Sequence, residues 1–174
     1  MITKEILKSI CPRTRLITVA QYVSSLNLFM ANFEISTPLR IRHFIAQLAH
    51  ESGSFQYVRE IASGNAYEGR KDLGNVNAGD GVKFKGRGLI QITGRANYEK
   101  CSLALFGDRR LLDNPELLEL PDNAVKSAAW FWQSHGLNAL ADKDDIRAIT
   151  KRINGGYNGL VDRMAFYDIA KTSI

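Results

Sequence analysis

Thr37-Pro38-Leu39-Arg40-Ile41-Arg42-His43-Phe44-Ile45-Ala46-Gln47-Leu48-Ala49-His50-Glu51-Ser52-Gly53 is the stretch that decides the fold. A threonine that can cap a helix stands before a proline suited to the first helical position. Ile41, Phe44, Ile45, Leu48 and Ala49 then make the segment apolar almost all round, which is the pattern of a buried helix. Gly53 stops it. The sequence therefore predicts a buried helix over Leu39–His50, with an acid, Glu51, at its end.

Working outward toward the N-terminus, Lys4–Ile10 forms a short amphipathic helix that Pro12 ends. Thr14–Phe33 carries apolar residues at helical spacing, with a break expected near Ser24-Ser25. In the other direction, residues 53–94 are rich in Gly, Asn and Asp and read as loops with a short β-ribbon at Tyr57–Ile61. Helical spacing resumes at Arg95–Phe106, again from Pro121 through Trp132, then from a cap at Asp144-Asp145 to Asn154-Gly155-Gly156, and last over Leu160–Ala170. The expected architecture is mainly α, a helical domain with a small β or loop lobe. All 174 residues belong to one domain, with 1–36 as an N-terminal helical part and 37–174 as the core.

The net charge of +5 favours polyanions, including acidic wall polymers. Its cations are scattered pairs, such as Arg40 and Arg42 or Lys83 and Lys85, with no zinc-finger or RNA-binding signature, so nucleic acid is not an expected partner. Cys11 and Cys101 sit in apolar helical patterns and read as buried thiols, with a disulfide left open. Met1–Glu5 has no continuous apolar run, and no stretch reaches membrane-spanning length. A soluble chain made in the cytoplasm is expected, with no stable membrane insertion.

Glu51 is the first candidate for chemistry. A carboxylate at the end of a buried helix is costly without a partner or a task. Glu60 lies nine residues on, and nine residues of unbroken helix would place the two acids on opposite faces. Ser52-Gly53-Ser54 interrupts the helix, so the chain can return. Two carboxylates flanking one bond are the machinery of glycoside hydrolysis. The third element is Gly86-Arg87-Gly88-Leu89-Ile90-Gln91-Ile92-Thr93, whose glycines allow close approach to a ligand and whose Gln91 and Thr93 share a face if extended. Trp130, Phe131 and Trp132 read as core. Tyr67 and Tyr98 fit packing or sugar stacking equally. His43, His50 and His135 have no metal-ligand spacing, and His50 is expected to brace the active-site helix.

Phe44–Gly53, Glu60, Gly86–Thr93, Asn97-Tyr98, Ile153–Gly156 and Asp162-Arg163, taken in this order, resemble glycoside hydrolase family 19, which includes plant-type chitinases and many phage endolysins. The segment Ala66–Asn75 looks most like the endolysin branch. The resemblance implies a lysozyme-like fold with a cleft between lobes. It implies Glu51 as general acid, Glu60 as general base, with Glu68 as the reserve candidate, and Thr93 as holder of the catalytic water. Gln91, Asn97 and Asn154 would contact sugars, and Tyr98 and Arg163 are expected among the substrate-binding residues. Arg163 would be wired to the carboxylates and keep the base ionised. Such enzymes invert, which implies carboxylates roughly 6.5–9.5 Å apart.

The resulting expectation is a monomeric endolysin that hydrolyses the β-1,4 bonds of peptidoglycan without metal or cofactor, released to the wall through a holin-type pore. Chitin is the alternative substrate. Two rivals differ in class: a lytic transglycosylase, whose Glu-Ser-Gly and Gly-Leu-x-Gln segments Glu51-Ser52-Gly53 and Gly88-Leu89-Ile90-Gln91 echo, and a non-catalytic wall-binding module on the same fold.

Overall fold

A computed structural model describes all 174 residues. At its centre lies the helix expected from Thr37 onward, here α4. In chain order the body is built from α1 (Lys4–Ile10), α2 (Leu16–Ala20), α3 (Val23–Asn32), α4 (Pro38–Glu51), α5 (Asp80–Lys83), α6 (Arg95–Phe106), α7 (Arg110–Asp113), α8 (Pro121–Ser134), α9 (Leu137–Ala141), α10 (Ile146–Asn154) and α11 (Leu160–Ser173). Thr37 accepts the Arg40 N–H at 3.3 Å, and the seven residues His43–Ala49 are all buried. One apolar cluster runs from Ile2, Leu7 and Ile10 through Phe44 and Trp132 to Ala170, so residues 1–36 share the core of the remainder. Cys11 and Cys101 are free thiols inside it, and burial pushes them up to about 11 and about 12. No helix is long and apolar enough to cross a membrane.

Three elements differ from their sequence expectation, the simplest being α5, one helical turn within a stretch expected to be loop and ribbon. The break in the Thr14–Phe33 helix falls at Gln21-Tyr22, not at Ser24-Ser25. Ser25 stays helical because its hydroxyl donates to Asp122 on α8 instead of competing for its own backbone. Tyr22 instead turns into the core, with its ring 5.7 Å from that of Phe55. The ribbon over Tyr57–Ile61 shrinks to isolated antiparallel bridges, Arg59 opposite Arg87 and Arg87 opposite Ile92. The partner strand cannot extend, because Gly88 (φ +79°) and Gln91 (φ +59°) fold it back on itself, with Arg87 and Ile92 exchanging bonds of 3.1 and 2.8 Å.

The lobe of residues 53–94 is held by polar clasps. Buried Asp80 takes the Arg95 fork at 2.8 and 2.6 Å. Asn75 donates to the Tyr67 carbonyl at 2.9 Å and accepts the Arg95 N–H at 2.9 Å. Arg87, also buried, reaches Glu119 at 2.8 Å, the Lys83 carbonyl at 2.8 Å and the Tyr98 hydroxyl at 3.0 Å. Phe84, against Tyr98 at 5.2 Å, ties the lobe to α6.

Candidate active site

The end of α4 and the start of the lobe are joined by an unusual turn. Gly53, Ser54 and Phe55 have φ of +56°, +65° and +63°. A left-handed conformation costs roughly 1–3 kcal/mol at a non-glycine residue unless its surroundings enforce it. Here they do. The Ser52 hydroxyl donates to the Leu48 carbonyl at 2.6 Å and accepts the Phe55 N–H at 2.8 Å, and Phe55 is wholly buried. Gln56 and Tyr57 then return their N–H groups to the Ser52 carbonyl at 3.1 and 2.9 Å. The Tyr57 ring lies over Gly53, where a Cβ would approach it to 2.8 Å. From Tyr57 the chain needs only three residues to reach Glu60, a span of about 10 Å if extended.

Glu51 is positioned by a polar seam between α4 and α11. His43, Gln47, His50 and Glu51 fall on the α4 face that α11 covers. The buried Arg163 guanidinium donates to Gln47 Oε1 at 2.6 Å, to the Asn158 carbonyl at 2.9 Å and to Glu51 Oε1. The side chain of Glu51 is 19% exposed. His50 Nδ1 meets Asp162 at 2.6 Å, so His50 does brace this helix end. Gly159 is required here: at φ +76°, a Cβ would come within 2.4 Å of the His50 ring and 2.7 Å of Arg163. Deeper in the seam, His43 bonds Asp144 at 2.7 Å and stacks on Tyr167 at 4.3 Å. Burial lowers the pKa of His43 despite that carboxylate.

Arg163 is wired to one of the two carboxylates expected, and not to Glu60. It pairs with Glu51, the acid candidate, and is too buried to touch sugar. The partners of Glu60 are the Tyr67 hydroxyl, donating to Oε1 at 2.8 Å, and the Gly86 N–H, donating to Oε2 at 3.1 Å. The Glu60 N–H in turn bonds the Gly86 carbonyl at 2.8 Å. Burial, then the bond to Glu60, raises the pKa of Tyr67. Gly86 is a shared wall: a Cβ there would lie 2.6 Å from Gln91 Oε1 and 3.3 Å from Glu60 Oε2.

Gln91, Thr93 and Asn97 form a chain. Gln91 Nε2 donates to the Gly88 carbonyl at 3.0 Å, the Thr93 hydroxyl to the Gln91 carbonyl at 3.0 Å, and Asn97 Nδ2 to the Thr93 carbonyl at 2.8 Å. All three line a groove of about 480 Å³ whose far wall includes Trp130 and Phe131. Of the three aromatic residues read as core, only Trp132 is fully buried. Glu60 lines a second concavity, of about 410 Å³, with Tyr57, Lys85 and Glu119. Glu51 lines neither; two residues after it, Gly53 lies under the ring of Tyr57, which lines the second concavity.

Tyr98 is wholly buried, its hydroxyl donating to the Lys85 carbonyl at 2.6 Å and accepting from Arg87, so it supports the lobe and cannot contact a sugar. Both oxygens of Glu68 are taken by the N–H groups of Gly79 and Gly81, at 2.7 and 2.8 Å, which makes it a loop clasp and a poor reserve base. Asn154 is exposed at the end of α10, 3.4 Å from the Asn158 carbonyl. Sequence reasoning missed Gly159 and Asn158, and left Tyr67 undecided. The glycine spacing of Gly155, Gly156 and Gly159 before α11 was the available signal for the first.

The family model described as class I chitinase matches residues 30–156. The chain belongs to glycoside hydrolase family 19. A Haemophilus influenzae glycosyl hydrolase family 19 domain-containing protein is 33% identical over 155 residues, covering 71% of this chain and 74% of its own. An Arabidopsis thaliana endochitinase is 32% identical over 163 residues, 90% of this chain and 61% of its own. Among solved structures, chitinase C from Streptomyces griseus superposes with a TM-score of 0.79 at 22% identity, over 99% of this chain and 76% of that one. A class IV family 19 chitinase from Zea mays gives 0.73 at 23%, over 99% and 92%. The mainly helical, lysozyme-like architecture expected from the sequence is thus that of the family 19 chitinases.

Proposed function

We propose that this family 19 member hydrolyses the β-1,4 glycosidic bonds of peptidoglycan by single displacement, with Glu51 as acid and Glu60 as base. The observation that carries this reading is how differently the two carboxylates are held. Glu51 has one oxygen tied to Arg163, leaving Oε2 without a protein partner. That oxygen is the one able to deliver a proton to the leaving glycosidic oxygen as the bond to the anomeric carbon breaks. Glu60, fixed by Tyr67 and Gly86, is acceptor-only at both oxygens and suited to take a proton from water as the water oxygen bonds the anomeric carbon. The bond between sugars is exchanged for the two halves of one water molecule; Glu60 then releases the proton it took to solvent, and solvent returns one to Glu51. Thr93 donates its hydroxyl proton to the Gln91 carbonyl, so its oxygen is free to accept from the attacking water.

The basic net charge of +5 supports an anionic wall polymer. In this reading the protein is an endolysin acting as a monomer, made in the cytoplasm and reaching the wall through a pore formed by another protein. Chitin is the second reading, and the endochitinase relatives favour it. Glu51→Gln and Glu60→Gln are each expected to lower kcat about 10²–10⁴-fold, as loss of a general acid or base does. Mass spectrometry of digested peptidoglycan and chitin oligomers should show reducing ends, and NMR the inverted anomer. Anhydro-muramyl ends together with an active Glu60→Gln enzyme would overturn hydrolysis in favour of transglycosylation. Wall binding with no cleavage of either polymer would overturn catalysis altogether.

A further inference from the structure

The groove beside Gln91, Thr93 and Asn97 carries charge that the acid and base do not use. Lys100 and Arg152 both line it, and no Asp or Glu does. Lys100 lies three residues after Asn97 on α6, so its ammonium shares the face that presents the Asn97 amide. Arg152, on α10, is anchored by a bond of 3.1 Å from Nη1 to the His135 carbonyl, across the groove's aromatic wall. Neither cation pairs with a carboxylate: Glu99, next to Lys100, is taken by Arg109, and the acids flanking α10 bond the Ala148 N–H, His43 and Tyr167. His135 is committed to the Phe131 carbonyl at 2.8 Å and to stacking on its ring.

An uncharged amino-sugar chain would be served by the amides, the threonine and the aromatic wall. Two cations without a counter-charge, one of them anchored to the His135 carbonyl, add attraction that only an anionic ligand can use. We propose that Lys100 and Arg152 are specificity-determining residues that bind a carboxylate carried on the substrate's amino sugar, and so select lactyl-peptide-bearing strands over chitin. The carboxylate belongs either to the attached peptide or, where the peptide has been removed, to the lactyl ether itself. This inference rests on the hydrolytic reading above and sharpens its substrate.

The test compares wild type with Lys100→Ala/Arg152→Ala and with Lys100→Glu/Arg152→Glu. Substrates are soluble uncross-linked glycan strands with intact peptides, the same strands stripped by an amidase, and N-acetylglucosamine hexamer. The ratio of kcat/KM on charged strands to that on hexamer should fall at least about tenfold in the alanine variant and further in the glutamate variant, mainly through KM. In wild type this ratio should also fall as ionic strength rises. The strand type that suffers the larger loss identifies the carboxylate bound. Equal ratios in all three proteins, with wild type cleaving both polymers, would overturn the role of the pair and leave Glu51 and Glu60 standing. If wild type cleaves neither polymer, titration calorimetry decides. Tighter binding of charged strands that the alanine variant loses supports the pair; equal binding by both proteins overturns it.

Discussion

The helical body and the lobe of residues 53–94 are stabilised in opposite ways. The body buries a contiguous apolar cluster in which Phe44 packs edge-on against Trp132 at 5.3 Å. At the two ends of the lobe Phe55, Phe84, Leu89, Ile90 and Ile92 join that cluster, but residues 56–83 bury no apolar side chain and rely on Asp80 with Arg95, Asn75 across two segments and Glu68 over two backbone amides, with Arg87 on Glu119 beside them. Burial is non-directional and tolerates local imprecision. Hydrogen-bonded clasps fix geometry but fail when one partner is lost. Glu51 is fixed from the body side and Glu60 from the lobe side, so the candidate site spans both regimes.

Three substitutions sharpen that contrast. Phe44→Ala should cost about 3–5 kcal/mol and lower the stability of the whole chain in denaturant melts. Asp80→Asn should cost about 2–3 kcal/mol by leaving the Arg95 fork half-satisfied, with hydrogen exchange rising in residues 64–95 before the body opens. Arg95 holds the Asp80 pKa below its ordinary value of 3.8. Asp80 therefore contributes stability above about pH 4 that is lost as pH falls through its lowered pKa, because the unfolded state then binds more protons. The mutant should lack that part of the acid limb; an unchanged acid limb would show that the clasp contributes nothing. The smallest effect belongs to Glu68→Gln, at most about 1 kcal/mol for this exposed group. Its kcat should stay within several-fold of wild type, whereas a loss matching that of Glu60→Gln would make Glu68 the base after all.

The same contrast explains what could be read in advance. α4 was legible from Thr37-Pro38 to Gly53 because capping, apolar periodicity and a stop signal agree there. The lobe's loop character was legible from its glycines, but its internal pairings were not, since nothing local links Asp80 to Arg95 or Glu68 to Gly81. Tyr98 looked like a sugar contact because only position along the chain was visible; burial against Phe84 and Arg87 needs the third dimension. Arg163 was expected to reach both carboxylates because sequence order gives no depth, and the α4–α11 packing sets it beside Glu51 alone. The serine pair misplaced the helix break because its bond to Asp122 spans 97 residues.

The Gly53–Phe55 turn bears on what could vary between the acids. With Phe55 locked into the body and Tyr57 returned to Ser52, the bend itself offers no pivot. Glu60 is bonded to Gly86, and Leu89, Ile90 and Ile92 just beyond lie in the same core as α4, so the base side of the gap is anchored to the body as Glu51 is. The width of the gap is then set by packing on both sides, and the length of sequence between Tyr57 and Glu60 is its gauge.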